Sequence, residues 1–320
     1  MRTRSEKVTT SSPTVFTAQT LIVSGITWAV LALLFFLLFS TIPAGDEGRP
    51  LWYSIGTFVF GLVANVGAGI LCLRNWRSPQ VVSGRTVWLA IGIGMLSYAI
   101  GDLLFGCWEL VWGLDPDVSL GDMFYLLTYI CLGWGMVLAV VSKRLNLEKW
   151  QWAVLIGIAA AGIALAVWLS ISPEGVEMTT ATTEALTADV AEVANSAPAF
   201  IETIDNTLSN YAYYVGLFYV VADVFLLIIA TALLLAFWGG RFSQSWQMIA
   251  AGTFSLYIAD MWFKYAERLA DYQSGSLLEV FWVFSPVLFG IGAVLEYHIS
   301  TRSRQGRRRR GGAAAAAADS

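Results

Sequence analysis

Eight long apolar stretches constrain this chain more than any other feature of its sequence. They cover residues 19–42, 51–73, 86–109, 121–142, 151–171, 212–238, 244–267 and 277–298. A helix needs about 20 apolar residues to cross the hydrocarbon core of a bilayer. Segments of this length at that depth satisfy their backbone groups as helices. We therefore expect an all-α membrane protein with eight transmembrane helices.

The composition leads to the same class of protein. Hydrophobic residues make up 57% of the 320-residue chain, charged residues only 13%, and the mean hydropathy is +0.65. A soluble domain usually carries about 25% charged residues. This chain has too much apolar surface to bury within a soluble globule, so lipid must solvate the excess.

The positions of lysine and arginine predict the orientation. Cytoplasmic loops of membrane proteins carry an excess of these residues. With the N-terminus inside, every lysine and arginine lies on an inner segment except Arg49, Lys264 and Arg268. We therefore expect both termini in the cytoplasm and the chain in the plasma (cytoplasmic) membrane.

Three segments lie outside the predicted spans. Residues 1–18 form a cytoplasmic N-terminal segment. Residues 173–211 contain no lysine or arginine but several acidic residues. They predict an acidic outer loop with a short amphipathic helix near 182–194, acting either as a solvated spacer or as a lid. The tail 301–320 carries four consecutive arginines, so we expect it to be disordered and held near anionic lipid, not bound to nucleic acid.

The two halves of the chain repeat one another. From Asn65 to Asp102 is 37 residues, and from Asp223 to Asp260 is again 37. The match continues with one single-residue gap through Glu109 and Glu267, Ser119 and Ser276, Asp122 and Glu279, Phe124-Tyr125 and Phe281-Trp282, and Gly133 and Gly290. This predicts a tandem repeat of four helices each, residues 19–149 and 150–300. Because four is even, both copies have the same orientation, with a pseudo-two-fold axis along the membrane normal.

Small residues recur inside the predicted spans of the first half, where they let helices pack closely. They are Gly61, Gly67, Gly69, Gly92, Gly94 and Gly101.

Carboxylates inside or at the ends of the spans are the candidate binding residues. They are Asp102, Glu109, Asp122, Asp223, Asp260, Glu267 and Glu279. Ionisable groups within a membrane usually face a bundle interior or a water-filled cavity. The pattern predicts an acidic cavity open to the extracytoplasmic side, which would bind a small cation, an amine or a proton.

Two structural readings of these carboxylates stay open beside the binding one. Asp122 and Glu279 lie in the first turn of a predicted helix, where a negative charge suits the helix dipole. Lys264 lies four residues after Asp260 and three before Glu267, so it can pair with both. The negative charge of the carboxylates in the second half would then be partly neutralised.

The sequence gives little support to a metal or cofactor site. His298 is the only histidine, so a site built from several histidines is excluded. The sequence predicts no cofactor and leaves metal binding otherwise undetermined.

Residues 100–133 carry a set of motifs in a fixed order. They are Gly101-Asp102-Leu103-Leu104, Glu109, Leu114-Asp115-Pro116, Ser119-Leu120, Asp122, Phe124-Tyr125-Leu126 and Tyr129. The stretch resembles a membrane region found in bacteria and archaea ahead of diguanylate cyclase, phosphodiesterase and histidine kinase domains. The resemblance implies a multi-span sensor. No catalytic domain follows residue 300, so we expect a separate cytoplasmic signalling protein as its partner.

Other functions fit the same residues. An ion-coupled transporter agrees with a repeat and intramembrane carboxylates. An intramembrane lipid hydrolase could use paired carboxylates as general acid and base, and the chain has a weaker similarity to lysoplasmalogenase-like membrane hydrolases. A structural subunit is the remaining class. The sequence favours a sensor without enzymatic activity.

Overall fold

The computed structural model of the chain describes residues 17–42, 48–114, 116–141, 147–171, 197–238, 243–269 and 272–318. Within these residues every regular element is a helix. The helices are α1 (Ala18–Phe39), α2 (Leu51–Arg77), α3 (Arg85–Gly106), α4 (Leu120–Val141), α5 (Lys149–Ile171), α6 (Ala199–Ser209), α7 (Ala212–Ala236), α8 (Ser243–Ala266) and α9 (Val280–Ala318). A π-helical turn, Cys107–Val111, extends α3, and a 3₁₀ turn, Leu277–Glu279, precedes α9.

Seven of the described helices are long and apolar enough to cross a membrane, namely α1 to α5, α7 and the first part of α9 up to Arg302. The chain is therefore an all-α, multi-pass membrane protein. Helix α8 is equally long, with 24 residues, but it does not reach the same hydropathy. Its polar residues are largely buried against other helices, which explains how it lies in the same bundle.

Six helices form a closed ring in the order α2, α3, α4, α7, α8 and α9, with α9 packing back on α2. One hydrophobic core joins all six. Trp88 of α3 and Trp246 of α8 meet inside it with ring centroids 6.4 Å apart, and both are almost completely buried. The third long helix of each half of the chain, α3 and α8, therefore reaches the middle of the bundle.

Helices α1 and α5 lie outside the ring. Helix α1 packs against α9 and α2, whereas α5 packs against α7 and α8. The Trp28 indole of α1 donates a hydrogen bond to the Phe60 carbonyl (3.1 Å), and Tyr257 of α8 donates one to the Gly162 carbonyl of α5 (3.1 Å). Each outer helix thus shares a hydrogen bond with a helix of its own half of the chain, although α1 also packs against α9 of the other half.

Close helix packing occurs at most of the predicted glycines. A β-carbon at Gly101 would lie 3.1 Å from the Gly121 carbonyl oxygen and 2.6 Å from the Tyr125 ring. Only a glycine lets α3 and α4 approach this closely, and Asp102 is the next residue on α3. Gly67 differs, because a β-carbon there would meet nothing within 4 Å.

Two connecting segments were the subject of sequence predictions. The structure continues α9 as a helix to Ala318, through the tail for which the sequence predicts disorder. Arginine and alanine are strong helix formers, which accounts for the extension. The amphipathic helix predicted at 182–194 lies outside the described residues. Among the described residues of this segment lies a short helix that the sequence analysis did not predict, α6 (Ala199–Ser209). Its Asp205 accepts a hydrogen bond from the Trp108 indole (3.1 Å).

Candidate functional site

The first half of the chain holds a buried centre around Asp102. Its Oδ1 accepts a hydrogen bond from the Tyr125 hydroxyl of α4 (3.0 Å), and its Oδ2 lies 3.4 Å from the Asn65 amide nitrogen of α2. Asn65 is 2% exposed and also donates to the Gly61 carbonyl (3.1 Å). Both oxygens of Asp102 therefore face a neutral donor.

The second half holds a centre with two carboxyl groups. The Tyr129 hydroxyl lies 2.9 Å from Asp223 Oδ1 and 2.5 Å from Asp260 Oδ2. The Trp282 indole donates to Asp260 Oδ1 (2.7 Å). Tyr129 comes from α4, in the first half of the chain, and bridges two residues of the second half. This centre is therefore built by both halves together.

The second centre lacks a hydrogen-bond donor for at least one of its carboxyl oxygens. A tyrosine hydroxyl carries one hydrogen and donates one hydrogen bond, yet Tyr129 contacts two carboxyl oxygens. Asp223 is 2% exposed, and no hydrogen-bond donor among the described residues reaches its Oδ2. A buried acceptor without a donor costs about 1–3 kcal/mol. One further proton or a small cation would complete this group.

Two more tyrosines connect the centres. Tyr98 lies close enough to Asp102, Asp223 and Asp260 for electrostatic interaction with each. Tyr219 donates to Asp122 Oδ1 (2.7 Å), and its ring centroid is 5.4 Å from that of Tyr129. Asp102, Asp122, Asp223 and Asp260 thus belong to one polar cluster of carboxyl and phenol groups inside the bundle.

Glu279 has a mainly structural role. Its carboxylate accepts hydrogen bonds from the Gly275 amide (2.7 Å), the Ser276 amide (3.1 Å), the Ser276 hydroxyl (2.8 Å) and the Tyr272 hydroxyl (2.7 Å). Burial and the nearby Glu279 charge raise the pKa of Tyr272 above its usual range, so its hydroxyl keeps its proton. Glu279 thus fastens the connection before α9 to the start of that helix.

Asp122 caps α4 in a similar way. Its Oδ2 accepts from the Ser119 amide (2.8 Å) and the Ser119 hydroxyl (3.2 Å). Unlike Glu279, it remains partly exposed and contacts the next half of the chain through Tyr219. The capping interpretation therefore fits both residues, and Asp122 in addition belongs to the cluster.

The remaining predicted residues lie at the periphery. Lys264 and Glu267 form an ion pair of 3.3 Å, with side chains 37% and 38% exposed. Among the described residues Lys264 makes no ion pair with Asp260, so the predicted double pairing is wrong: Asp260 points into the bundle toward Tyr129 and Trp282. Glu109 lies in the π-helical turn after α3, near Tyr272.

The hydrogen-bond donors of the cluster were not predicted. Tyr125, Tyr129, Tyr219 and Trp282 donate to its carboxyl groups. The sequence analysis did not name them as site residues, although a tyrosine or tryptophan buried in a span needs a polar partner. Glu296 was also missed. It is fully buried in α9 and accepts from the Ser83 amide (3.3 Å) and the Ser300 hydroxyl (3.3 Å). Its position at the end of the last span was the available signal.

A groove of about 340 Å³ opens beside the cluster, between α4 and the α6–α7 segment. Its lining is mostly aliphatic and aromatic, with Met123 and Leu126 on the α4 side and Phe218 on the α7 side. Ser119 and Asp122 also line it. Of the predicted binding carboxylates, only Asp122 contributes to it. Asp223 is buried, Asp102 and Asp260 are partly buried, and none of the three lines this groove.

Comparisons with known proteins give no further assignment. No family model, no curated protein sequence and no solved structure matches the chain. Among the described residues, no group of three or more histidine, cysteine, aspartate or glutamate side chains is arranged to hold a metal ion.

Proposed function

We propose that the chain is a membrane sensor module whose input is the uptake of a proton or a small cation by the Asp223–Asp260 pair. The observation that carries this proposal is the Tyr129 hydroxyl, which lies within hydrogen-bonding distance of both carboxyl groups but can satisfy only one. A bound proton or cation would hold α7, α8 and α4 together at this point. Loss of this proton or cation would leave two carboxylates that repel each other, and the repulsion would separate the helices.

The sensor proposal includes a separate cytoplasmic partner that detects the resulting helix movement. The resemblance of residues 100–133 to membrane regions ahead of cyclase and kinase domains favours this interpretation. The burial of Asp223 (2% exposed) and the short contacts of Tyr129 with both carboxyl groups favour a very small ligand over a large one.

We also infer that the chain contains a tandem four-helix repeat. Equivalent positions in the two halves make equivalent contacts. A β-carbon at Gly94 would meet the Thr128 carbonyl and Leu132, and one at Gly252 would meet the Ser285 carbonyl and Phe289. Gly135 lies near Val87 and Ile91, and its equivalent Gly292 lies near their equivalents Ser245 and Ile249. Trp88 and Trp246, which contact each other, are also equivalent positions. These pairs support a pseudo-two-fold axis between α3 and α8.

The repeat in turn supports a count of eight spans. Helix α8 is the counterpart of α3 and lies between α7 and α9 in the ring. With eight spans, the distribution of lysine and arginine places both termini in the cytoplasm and suits the plasma membrane.

Infrared difference spectroscopy in lipid nanodiscs tests the proposed input. The protein is shifted between about pH 9 and about pH 4, and the band of a protonated carboxyl group is followed. We expect a band that is lost in Asp223→Asn and is retained in Glu267→Gln, a surface control. The same titration with sodium or tetramethylammonium ions separates proton uptake from cation binding. A parent spectrum that changes neither with pH nor with cations would refute the proposal.

An ion-coupled carrier is the second candidate. It is favoured by the position of the Asp223–Asp260 pair, which is completed by Tyr129 from the other half of the chain, as expected for a site at the interface of two repeats. Proton-driven uptake of small amines by proteoliposomes, abolished in Asp223→Asn, would select this function over sensing.

A further inference from the structure

The open face of α4 has a covered counterpart elsewhere in the chain. Helix α9 presents a stripe of apolar side chains to α1, formed by Val280, Phe284, Val287 and Ile291. Helix α1 covers this stripe with Gly25, Ala29, Ala32 and Phe36. A β-carbon at Gly25 would lie 3.6 Å from Val287 and 3.5 Å from Ile291, so small residues on α1 fit against large residues on α9.

In the repeat alignment the corresponding stripe on α4 is Met123, Leu127, Ile130 and Trp134. These side chains are 63%, 40%, 58% and 60% exposed. By the repeat, α5 should cover them as α1 covers α9. Helix α5 instead packs against α7 and α8, and the α4 stripe has no covering helix among the described residues. The groove beside Met123, Leu126 and Phe218 is part of this open face.

Helix α5 carries a matching surface that no other described part of the chain covers. Ala153, Gly157, Ala160 and Ala164 have the same spacing as the α1 residues that cover α9, and all four are exposed. They lie on the side of α5 opposite its buried residues Leu155, Gly162, Ala166 and Leu169. A β-carbon at Gly157 would meet nothing within 4 Å.

We propose that α5 of a second copy of this chain covers the α4 stripe, and that α4 of that copy receives α5 in return. The pairing reproduces the α1–α9 contact, in which small residues let an apolar helix approach large side chains closely. Helices α4 and α5 both contact α7, so the two surfaces flank one helix. A two-fold axis along the membrane normal would form both contacts and close the dimer.

Gly157→Leu tests the interface without disturbing the isolated chain, because the added side chain enters open space. We expect the unsubstituted protein to be dimeric in nanodiscs or dilute bilayers, by single-molecule photobleaching. The bulky side chain should weaken dimerisation by about tenfold or more, because it separates the two helices. Gly67→Leu is the matched control, since Gly67 of α2 also faces open space but lies outside the proposed interface.

Cysteine cross-linking tests the register. The Gly25–Val287 contact corresponds to Ala153 against Ile130, so a chain with Ala153→Cys should form a disulfide with a co-expressed chain carrying Ile130→Cys. Ile26→Cys, on the exposed side of α1, should not react with Ile130→Cys above the background of the three native cysteines. A monomeric parent protein, a Gly157→Leu variant as dimeric as the parent, or preferential cross-linking of Ile26→Cys would each overturn the dimer. None of these results bears on proton uptake.

Discussion

The two buried centres differ at two equivalent positions, and the difference changes their chemistry. The first half has Asn65 and Tyr125 around Asp102, and the second has Asp223 and Trp282 around Asp260. An asparagine amide donates hydrogen bonds to a carboxylate, whereas a second carboxylate only accepts them unless it is protonated. The exchange of Asn65 for Asp223 therefore replaces a donor to the central carboxyl group with a second acceptor, and this difference underlies the proposed uptake of a proton or cation by the second centre alone.

Asn65→Asp should have the largest effect, because it gives the first centre the chemistry of the second. It removes the donor to Asp102 and to the Gly61 carbonyl and buries an unpaired carboxyl group. We expect a loss of about 3–5 kcal/mol in the free energy of unfolding near neutral pH. Because protonation restores a donor, the loss should shrink as the pH falls. Unfolding in mixed micelles at several pH values measures it.

Asn65→Leu is the control for that comparison. It removes the same donors without adding a charge, so its cost should be smaller and independent of pH. An Asn65→Asp variant that is as stable as the parent at neutral pH would show that the first centre tolerates two carboxyl groups, and the proposed distinction between the halves would fail.

Removal of a tyrosine hydroxyl should affect the second centre more than the first. Tyr129→Phe leaves two carboxyl groups without their shared donor, and we expect it to cost about 2–3 kcal/mol. Tyr125→Phe removes one donor from Asp102, which retains Asn65, and should cost about 1–2 kcal/mol. Thermal unfolding midpoints of the two variants in one detergent compare them directly. Equal shifts would argue against a special role for Tyr129.

Replacing the capping carboxylates Glu279 and Asp122 by amides gives a second comparison of the stability of the two halves. Glu279→Gln disturbs four hydrogen bonds at a buried site and should cost about 1–2 kcal/mol. Asp122→Asn acts on a partly exposed cap and should cost about 0.5–1 kcal/mol, mostly through the helix dipole. Proteolysis of the 269–280 connection should accelerate in Glu279→Gln alone. Faster cleavage of this connection in Asp122→Asn would contradict the conclusion that Glu279 holds it in place.

Lys264→Ala should have the smallest effect. Its ion pair with Glu267 is solvent-exposed, and such pairs contribute about 0–1 kcal/mol. The carboxyl band at the Asp223–Asp260 pair should also be unchanged, because Lys264 does not reach Asp260. A shift of that band in Lys264→Ala would show that Lys264 does interact with Asp260, as the sequence predicted. The chemical difference proposed between the two centres would then be smaller.

The sequence predicted seven of the long helices well, because each of these spans is continuous and apolar. The predicted start of the second span, residue 51, is the first residue of α2, and the start of the sixth, residue 212, is the first of α7. Asp102, Asp223 and Asp260 were named as binding candidates because charge is rare within a span, and their binding role stays a prediction. Their donors were not named, since the spacing along one helix does not reveal that Tyr129 of α4 contacts α7 and α8. The position of α5 could not be predicted either, because lipid solvates its alternative sites equally well.

Pro286 has a consequence for the movement of α9. A proline has no amide hydrogen, so the carbonyl four residues earlier loses its helical hydrogen bond. That carbonyl belongs to Trp282, whose indole binds Asp260. In the proposed repeat Pro286 corresponds to Tyr129. The backbone hydrogen-bond ladder of α9 therefore lacks one bond beside the carboxyl pair, and a tilt at this point would be magnified along the extension that follows into a larger displacement at its far end.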